Sequence, residues 1–242
     1  MVACTRSGRG VNDLASQVAK RLAFRPLARS SLPSIAPIVE IVPSRPDEAV
    51  VRQAVTVLAA GGVVAFPTDT LYGIGCELGQ NHAVERIQTM RQIDSTKRPL
   101  TFMLPDIGSL PHFAVVHEQG HRILNRIFPG PYCVELTATA RVPAPFMHED
   151  RRTIGVRIPD SPLCERMLWM LRQPILTATA KSRAGVTLTT AQAIRDEYGS
   201  DVDLILDGGE LAGPPSTVVS LVDDWVTVLR EGRGPAGKIL LG

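Results

Sequence analysis

The stretch that decides the fold is residues 63–73, which read Val-Val-Ala-Phe-Pro-Thr-Asp-Thr-Leu-Tyr-Gly. Its apolar first part, residues 63–66, has the length and β-branched content of a buried strand. Pro67 has no N–H to donate to a sheet ladder, so we expect the strand to end there. Hydroxyl and carboxylate side chains follow at residues 68–70, and α/β proteins build ligand sites at strand ends of this kind. The alternative is an ordinary strand and turn, because Thr and Asp are good turn formers.

A tyrosine and two glycines follow these polar residues. Tyr72 adds a further hydroxyl, and Gly73 and Gly75 allow the backbone to turn or to approach a ligand closely. We therefore expect the segment after Pro67 to be a turn that contributes to a binding site.

Strand-like and helical segments alternate along the chain from residue 38 on. The predicted strands are 38–42, 63–66, 100–104, 133–139, 154–158, 175–180, 203–207, 216–221 and 225–229. The predicted helices are one that begins at Pro46 and ends before Gly61, and four that span 83–92, 117–127, 161–171 and 190–197. No internal repeat, low-complexity tract or linker interrupts this series, so the pattern predicts one mixed α/β domain over residues 38–242.

Composition excludes several classes of protein. The chain has 242 residues, of which 44% are hydrophobic and 21% charged, which is ordinary for a globular protein. No apolar run approaches the roughly 18 residues that span a bilayer, so we expect no membrane association. The four cysteines form neither a Cys-x-x-Cys pair nor a Cys/His cluster, so we expect no zinc site, no disulfide framework and a reducing compartment.

The first 37 residues differ in charge from the rest of the chain. Residues 1–36 hold six basic residues and one acidic residue, a net charge of +5, so the remainder carries −3 of the total of +2. The segment is rich in Ser and Arg, and its apolar residues fall at helical spacing, as in a transit peptide for a chloroplast or mitochondrion. The alternatives are a disordered basic tail or a mispredicted start site on an otherwise cytoplasmic protein. Because the charge is confined to this extension, it is a poor argument for nucleic-acid binding.

Five short segments together resemble the YrdC-like family, which includes the threonylcarbamoyl-adenylate synthases. In chain order they are residues 67–73, 128–131, 153–159, 215–219 and 229–232. They resemble the family's Pro-Thr-(Glu/Asp)-Thr-x-Tyr-Gly strand end, aromatic-Pro-Gly-Pro turn, Gly-x-Arg-x-Pro strand, Pro-Ser-Thr strand and closing Arg-(Glu/Pro)-Gly. The resemblance covers nearly everything from residue 38 on, and it is strongest to the YciO branch of the family.

The resemblance implies a fold and a reaction. The fold is a single twisted mixed sheet with flanking helices around a positively charged concave cavity, of the YrdC/RibB-like type. The synthases of the family join L-threonine, bicarbonate and ATP into threonylcarbamoyl-AMP and release pyrophosphate. A partner enzyme then moves the threonylcarbamoyl group onto an adenosine beside the tRNA anticodon. Mg²⁺ would arrive on the ATP phosphates, so neither a tightly bound cofactor nor an all-protein metal site is expected.

The resemblance also implies two groups of binding residues. The expected threonine-binding residues are Thr68, Thr70, Tyr72, Arg157 and Ser216. The expected nucleotide-binding residues are Arg91, Lys97, Arg98, Thr153, Lys181, Ser182 and Arg230. Guanidinium groups suit carboxylates and phosphates, and hydroxyls suit both ligands. Taken singly, either Arg157 or Arg230 would be a surface ion-pair residue.

No catalytic residue is assigned. Attack of a carbamate on the α-phosphate needs positioning and charge neutralisation more than a covalent nucleophile. We expect Asp69 to be a hydrogen-bonding anchor rather than a general base.

Two segments depart from the pattern of the synthases. The synthases carry Lys-x-Arg-Pro after the second helix, whereas here Lys97-Arg98-Pro99 is offset. They also carry Ser-x-Asn-x-Ser-Gly after a late strand, whereas residues 178–185 read Ala-Thr-Ala-Lys-Ser-Arg-Ala-Gly, without the asparagine. These departures resemble the YciO branch and leave hydrolysis of threonylcarbamoyl-AMP open beside its synthesis.

Two further alternatives remain at this point. One is a double-stranded RNA or tRNA binder without turnover, which would use Arg91, Lys97, Arg98, Lys181 and Arg183. The aromatic content of 5% provides few stacking platforms for single-stranded RNA. The other is a stable fold whose ligand site has decayed.

Overall fold

The computed structural model describes residues 35–92, 99–222 and 225–240. Most of the predicted basic extension, up to residue 34, lies outside the described residues, as do Lys97, Arg98 and the predicted turn at Asp223 and Asp224. The boundary between extension and domain at residue 37 stays a prediction. The first strand begins at Ile38, where the domain was expected to begin.

Within these ranges the strands form one mixed sheet. They are β1 (Ile38–Glu40), β2 (Val64–Pro67), β3 (Tyr72–Glu77), β4 (Thr101–Met103), β5 (Ala114–Val115), β6 (Tyr132–Ala138), β7 (Thr153–Arg157), β8 (Ile175–Thr179), β9 (Leu204–Asp207), β10 (Thr217–Val222) and β11 (Trp225–Arg230). Their order across the sheet is β1-β9-β2-β3-β8-β4-β7-β6-β10-β11, and β5 pairs with β6. The pairs β1–β9, β2–β9, β4–β7 and β6–β10 are parallel and the other pairs are antiparallel. The mixed α/β prediction is confirmed.

Helices cover both faces of the sheet. They are α1 (Glu48–Ala59), α2 (Asn81–Arg91), α3 (Glu118–Ile127), α4 (Pro162–Leu171), α5 (Ala191–Tyr198) and α6 (Gly237–Leu240), and short 3₁₀ turns lie at Ile107–His112 and Ala144–Phe146. The first helix was expected to begin at Pro46. It begins later because Asp47 is its N-cap, whose Oδ1 accepts from the Ala49 N–H at 2.7 Å.

Two apolar cores lie on opposite faces of the sheet. The larger core takes in residues of α2, α3, α5 and α6. The smaller core takes in residues of α1 and α4 together with the β2 and β9 end of the sheet. The smaller core, which lies at the β2 and β9 end, covers only part of its face of the sheet.

None of the helices among the described residues has the length and apolar content to cross a bilayer.

Two strands were missed by the sequence patterns. The segment of β3 was read as a turn because Gly73 and Gly75 interrupt the apolar alternation. Both glycines instead lie within β3, and a Cβ on Gly75 would stand 2.7 Å from Ile175 Cγ2. Gly75 is therefore required by side-chain packing across the sheet rather than by a turn. The other missed strand, β5, has only two residues, too few to show a period.

Candidate active site

The two faces of β4, β7, β6 and β10 differ in chemistry. One face is fully buried in the larger core, where Phe102, Val156 and Val134 are register neighbours. The other face is half-buried, and we call it the polar face, which consists of Thr101, Cys133, Glu135, Gly155, Arg157, Val218 and Ser220. Its register pairs include Gly155 with Glu135 and Glu135 with Ser220. Because this half-buried face carries charged and polar side chains, it is a natural place for a polar ligand.

The Thr-Asp-Thr turn lies between β2 and β3 at the end of the polar face. Thr68 Oγ1 donates to the Leu71 carbonyl at 2.7 Å and accepts from the Thr70 N–H at 3.2 Å. Both threonine side chains are buried. Their hydroxyls shape this turn, and the predicted contact of Thr68 and Thr70 with a ligand stays a prediction.

Arg157 is paired with Asp69 across the polar face. Arg157 Nη2 lies 2.6 Å from Asp69 Oδ1 and 3.2 Å from Thr70 Oγ1. The side chains are 11% and 7% exposed, so this ion pair is largely buried. Asp69 Oδ2 also accepts from the Asp160 N–H at 3.3 Å. These bonds place Asp69 as an anchor that orients the guanidinium, in the role expected for it.

Arg157 retains a donor without an acceptor. Its Nε is buried and has no hydrogen-bond partner within the described part of the chain. A buried donor of this kind costs free energy until an acceptor reaches it. The carboxylate or phosphate of a ligand would be such an acceptor.

The five sequence segments meet around this ion pair. The Gly130 N–H donates to the Ile158 carbonyl at 2.9 Å, which joins the Pro-Gly-Pro turn to the end of β7. The Thr217 N–H donates to the Pro131 carbonyl at 3.0 Å, which joins β10 to the same turn. The Gly232 N–H donates to Thr217 Oγ1 at 2.9 Å, which joins the closing segment to β10.

Two further arginines, Arg230 and Arg233, bond to backbone carbonyls of these segments. Arg230 Nη2 donates to the Ser216 carbonyl at 2.8 Å, so the guanidinium lies beside Ser216. Arg233 Nη1 donates to the Asp69 carbonyl at 2.6 Å, which ties the closing segment back to the Thr-Asp-Thr turn. Segments far apart in sequence therefore surround one place, and Arg157, Ser216 and Arg230 are brought together there. The Thr-Asp-Thr turn is bonded to Arg157 directly.

The hydroxyl of Tyr72 points to the end of β9. It donates to the Gly209 carbonyl at 2.7 Å, accepts from the Gly208 N–H at 3.0 Å and lies 3.3 Å from Asp207 Oδ1. Burial, opposed by the bond from Gly208 and reinforced by Asp207, raises the pKa of Tyr72 to about 12. The hydroxyl thus fixes the turn after β9, and contact of Tyr72 with threonine stays an untested prediction.

The raised pKa values predict loss of stability in alkali. Burial also raises the pKa of the Cys76 and Cys164 thiols to about 12. Because the unfolded chain ionises these thiols near 9 and a tyrosine near 10, the folded state should lose stability as the pH rises from 9 to 12. Tyr72→Phe should lower the free energy of unfolding by about 1 kcal/mol at neutral pH and flatten its decline above pH 10. Urea titrations across this pH range measure both effects, and equal slopes in the two proteins would contradict the tyrosine assignment.

Thr153 and Glu135 form a second pair on the polar face. Thr153 Oγ1 donates to Glu135 Oε1 at 2.7 Å, and Arg151 Nη1 lies 3.1 Å from the same oxygen. Thr153 was predicted to bind the nucleotide. Its hydroxyl proton is engaged by a carboxylate, so any nucleotide contact here would involve Glu135 as well.

Three of the remaining predicted nucleotide residues, Arg91, Lys181 and Ser182, lie together where the end of α2 meets the turn after β8. Arg91 Nη1 donates to the Lys181 carbonyl at 2.7 Å, and Ser182 Oγ accepts from the Val186 N–H at 3.1 Å within the turn after β8. Among the described residues the Arg91 guanidinium and the Ser182 hydroxyl bond to backbone groups of residues 181–186, and neither bonds to Arg157 or Arg230. Lys97 and Arg98 lie outside the described residues. The nucleotide role of these five residues stays a prediction.

Sequence reasoning missed three residues of the site. Glu135 and Cys133 both lie on the half-buried side of β6, and the alternation predicted for that strand was a signal that could have placed them together. Burial raises the pKa of Cys133, while the charges of Arg157 and Arg230 oppose this and that of Glu135 adds to it. Arg233 carried no local signal, because its contact with the turn depends on tertiary structure.

Comparison with known proteins identifies relatives of this chain. A family model named for Sua5, YciO and YrdC, with the description "Telomere recombination", matches residues 56–232. YciO of Escherichia coli K12, described as an uncharacterised protein, is 35% identical over 201 residues, covering 83% of this chain and 97% of YciO. A threonylcarbamoyl-AMP synthase of Vibrio vulnificus is 31% identical over 160 residues, covering 65% of this chain and 85% of the synthase.

Solved structures share the fold. The crystal structure of E. coli YciO matches with a TM-score of 0.80 and 33% identity, covering 85% of this chain and all of YciO. The crystal structure of P. abyssi Sua5 complexed with L-threonine matches with a TM-score of 0.76 and 27% identity, covering 84% of this chain and 60% of Sua5. The family match over residues 56–232 spans the five sequence segments that meet at the site.

Proposed function

This chain belongs to the Sua5–YciO–YrdC family, and from that premise we propose that it binds L-threonine and ATP at the polar face and forms threonylcarbamoyl-AMP. Threonine and bicarbonate would first form a carbamate. A carbamate oxygen would then attack the α-phosphate of ATP, and pyrophosphate would leave. The proposal draws on the synthase names of the relatives and on the threonine complex of Sua5.

The observation that carries the proposal is the convergence of the five segments on Arg157. Asp69 holds the guanidinium from one side at 2.6 Å, and the buried Nε still needs an acceptor. A threonine carboxylate would supply that acceptor through a charge-assisted bond. Arg230, beside Ser216, would supply positive charge for the α-phosphate as the carbamate attacks it.

ATP would enter as its Mg²⁺ complex. The described residues contain no group of three or more His, Cys, Asp or Glu side chains that could hold a metal ion by themselves. A substrate-borne Mg²⁺ fits this arrangement, because Mg²⁺ in nucleotide sites is held by phosphates, water and one or two carboxylates. ATP, Mg²⁺ and bicarbonate as ligands are part of the proposal.

A second candidate is hydrolysis of threonylcarbamoyl-AMP to AMP and the threonine carbamate. It is favoured by residues 178–185, which lack the asparagine amide expected of a synthase and have Lys181 or Ser182 in its neighbourhood. It is also consistent with the broader match to YciO, which spans 83% of this chain against 65% for the synthase.

RNA binding is the weaker alternative. Arg183 binds Glu197 and Asp201 and lies over the Tyr198 ring at 4.8 Å, and Arg91 binds backbone carbonyls. The Arg183 guanidinium, engaged in this way, is less available to phosphates. The buried Arg91 Nε lacks an acceptor among the described residues, as Arg157 Nε does. Electrostatic RNA binding would also weaken steeply with added salt.

An assay run in both directions tests the proposal. Full-length protein is given L-threonine, bicarbonate and Mg·ATP, and in a separate reaction threonylcarbamoyl-AMP alone. We expect pyrophosphate and threonylcarbamoyl-AMP in the first reaction. Absence of both products would overturn the synthase, and release of AMP in the second reaction alone would establish the hydrolase instead. An Arg157→Met variant is the control for a contaminating activity.

A further inference from the structure

A carboxylate stands on the polar face where an anionic substrate is expected. Glu135 faces Gly155 across the β6–β7 register, and its side chain is only 13% exposed. Gly155 has no side chain to separate the carboxylate from a ligand that lies over β7. A Cβ at Gly155 would meet Cys133 Sγ at 3.3 Å and Thr101 Oγ1 at 3.5 Å, so these groups border the same place.

Charges of both signs surround Cys133. The charges of Arg157 and Arg230 and the carboxylate of Glu135 all act on its thiol. Cys133 and Glu135 are two residues apart on one side of a strand, a separation of roughly 7 Å. A polyphosphate held by Arg230, beside a threonine carboxylate on Arg157, therefore lies within reach of the Glu135 carboxylate. The phosphates and this carboxylate repel each other unless a cation lies between them.

We infer that Glu135 is the protein's contact to the Mg²⁺ ion of the nucleotide and makes the polar face select Mg·ATP over free ATP. This inference rests on the proposed function and assigns a residue that neither the motifs nor the relatives indicated. Mg²⁺ prefers oxygen ligands and is commonly held by one carboxylate together with substrate phosphates and water. An Mg²⁺ ion between the Glu135 carboxylate and the phosphates attracts both groups and so overcomes their mutual repulsion.

The bonds of Glu135 within the protein suit this role. Oε1 accepts from Thr153 Oγ1 at 2.7 Å, which fixes the carboxylate. The one bond to Oε2 from the described residues is that from Arg151 Nη1, at 3.4 Å. Oε2 therefore keeps lone pairs for a cation. Arg151 is 56% exposed, and an ion pair at such a position contributes little to stability, so it does not account for a buried acid here.

Titration calorimetry on full-length protein tests the inference. The ligand is the α,β-methylene analogue of ATP, which cannot be cleaved at the reacting bond, measured with excess MgCl₂ and with EDTA. We expect Mg²⁺ to tighten binding at least about tenfold in the wild type. In Glu135→Gln this enhancement should fall by about tenfold, and binding in EDTA should strengthen because the repulsion is gone.

Matched controls separate this effect from others. Glu165→Gln removes an exposed acid on α4 and should leave the Mg²⁺ enhancement unchanged. Glutamine at position 135 can still accept from Thr153, so thermal melting should match the wild type. AMP, which has one phosphate, should bind both proteins with the same affinity.

The results of this titration distinguish a failure of the role of Glu135 from a failure of the proposed function. An unchanged Mg²⁺ enhancement in Glu135→Gln, with normal nucleotide binding, would overturn the role of Glu135 and leave the proposed function standing. Failure of the wild-type protein to bind the analogue under either condition would overturn nucleotide binding, and this inference with it.

Discussion

Replacing Arg157 by methionine is expected to lower the free energy of unfolding by about 3–5 kcal/mol and to abolish binding of L-threonine. The reason is the burial of the pair that Arg157 forms with Asp69, whose side chains are 11% and 7% exposed. Without the guanidinium, the one remaining bond to the Asp69 carboxylate within the described ranges is the weak one from the Asp160 N–H at 3.3 Å. A buried carboxylate left without its counter-charge is much more costly than the pair itself is stabilising.

A second variant separates the two effects of this change. Asp69→Leu combined with Arg157→Met removes both charges, so most of the lost stability should return while threonine binding stays absent. Arg166→Met, which removes an exposed guanidinium on α4, is the matched control and should change neither quantity. Urea unfolding and calorimetric titration measure the two quantities. Threonine binding by the double variant would show that Arg157 orients the turn but does not hold the ligand.

Gly232→Ala is expected to lower the free energy of unfolding by about 3 kcal/mol or more and to displace the closing segment from the site. A Cβ at this position would collide with the Pro215 carbonyl oxygen and stand 2.7 and 2.8 Å from the carbonyl carbon and oxygen of Ser216. These are backbone atoms, which cannot move aside as a flexible side chain can. Relief requires the segment to move, which breaks the bond from the Gly232 N–H to Thr217 Oγ1.

Gly237, the first residue of α6, provides a control for this substitution. At Gly237 a Cβ meets nothing within 4 Å, so Gly237→Ala should match or slightly exceed the stability of the wild type. Movement of the segment carries Arg230 and Arg233 away from Ser216 and Asp69, so Gly232→Ala should also weaken nucleotide binding. Thermal melting compares the two variants, and equal melting temperatures would contradict the close packing of this segment.

The pattern of apolar residues in the sequence was sufficient to predict most strands and helices of the fold. Residues 63–66 have the uniform apolar content of a strand buried on both faces, and the structure places β2 between two neighbours in the sheet. The stretch that became β3 was missed because Gly73 and Gly75 take the place of the larger residues that an alternation requires. Its identity as a strand depends on the packing of Phe66 and Ile175 against those glycines. These are tertiary contacts, which the local sequence does not show.

The sequence predicted which segments form the site better than it predicted how those segments contact one another. The five segments were identified from their residues, but Arg157 and Asp69 are separated by 88 positions, and no local pattern reports that they pair. For the same reason the hydroxyls of Thr68 and Tyr72 counted as ligand groups in the sequence, while the structure engages them in shaping turns. The alternation of β6 could have placed Glu135 on the half-buried side of the strand, but not opposite Gly155, because that pairing depends on the register of the sheet.

The central claim is that the polar face holds L-threonine through Arg157, and calorimetric titration of the full-length chain with L-threonine tests it most directly. We expect saturable binding at one site per chain, absent in Arg157→Met. Binding of D-threonine should be much weaker, because with its carboxylate on Arg157 its ammonium group and side chain cannot both occupy the positions that they take in L-threonine. Absence of saturable binding by L-threonine, with and without the Mg²⁺ complex of the ATP analogue, would contradict the account. Equal affinity for the two enantiomers would contradict it as well.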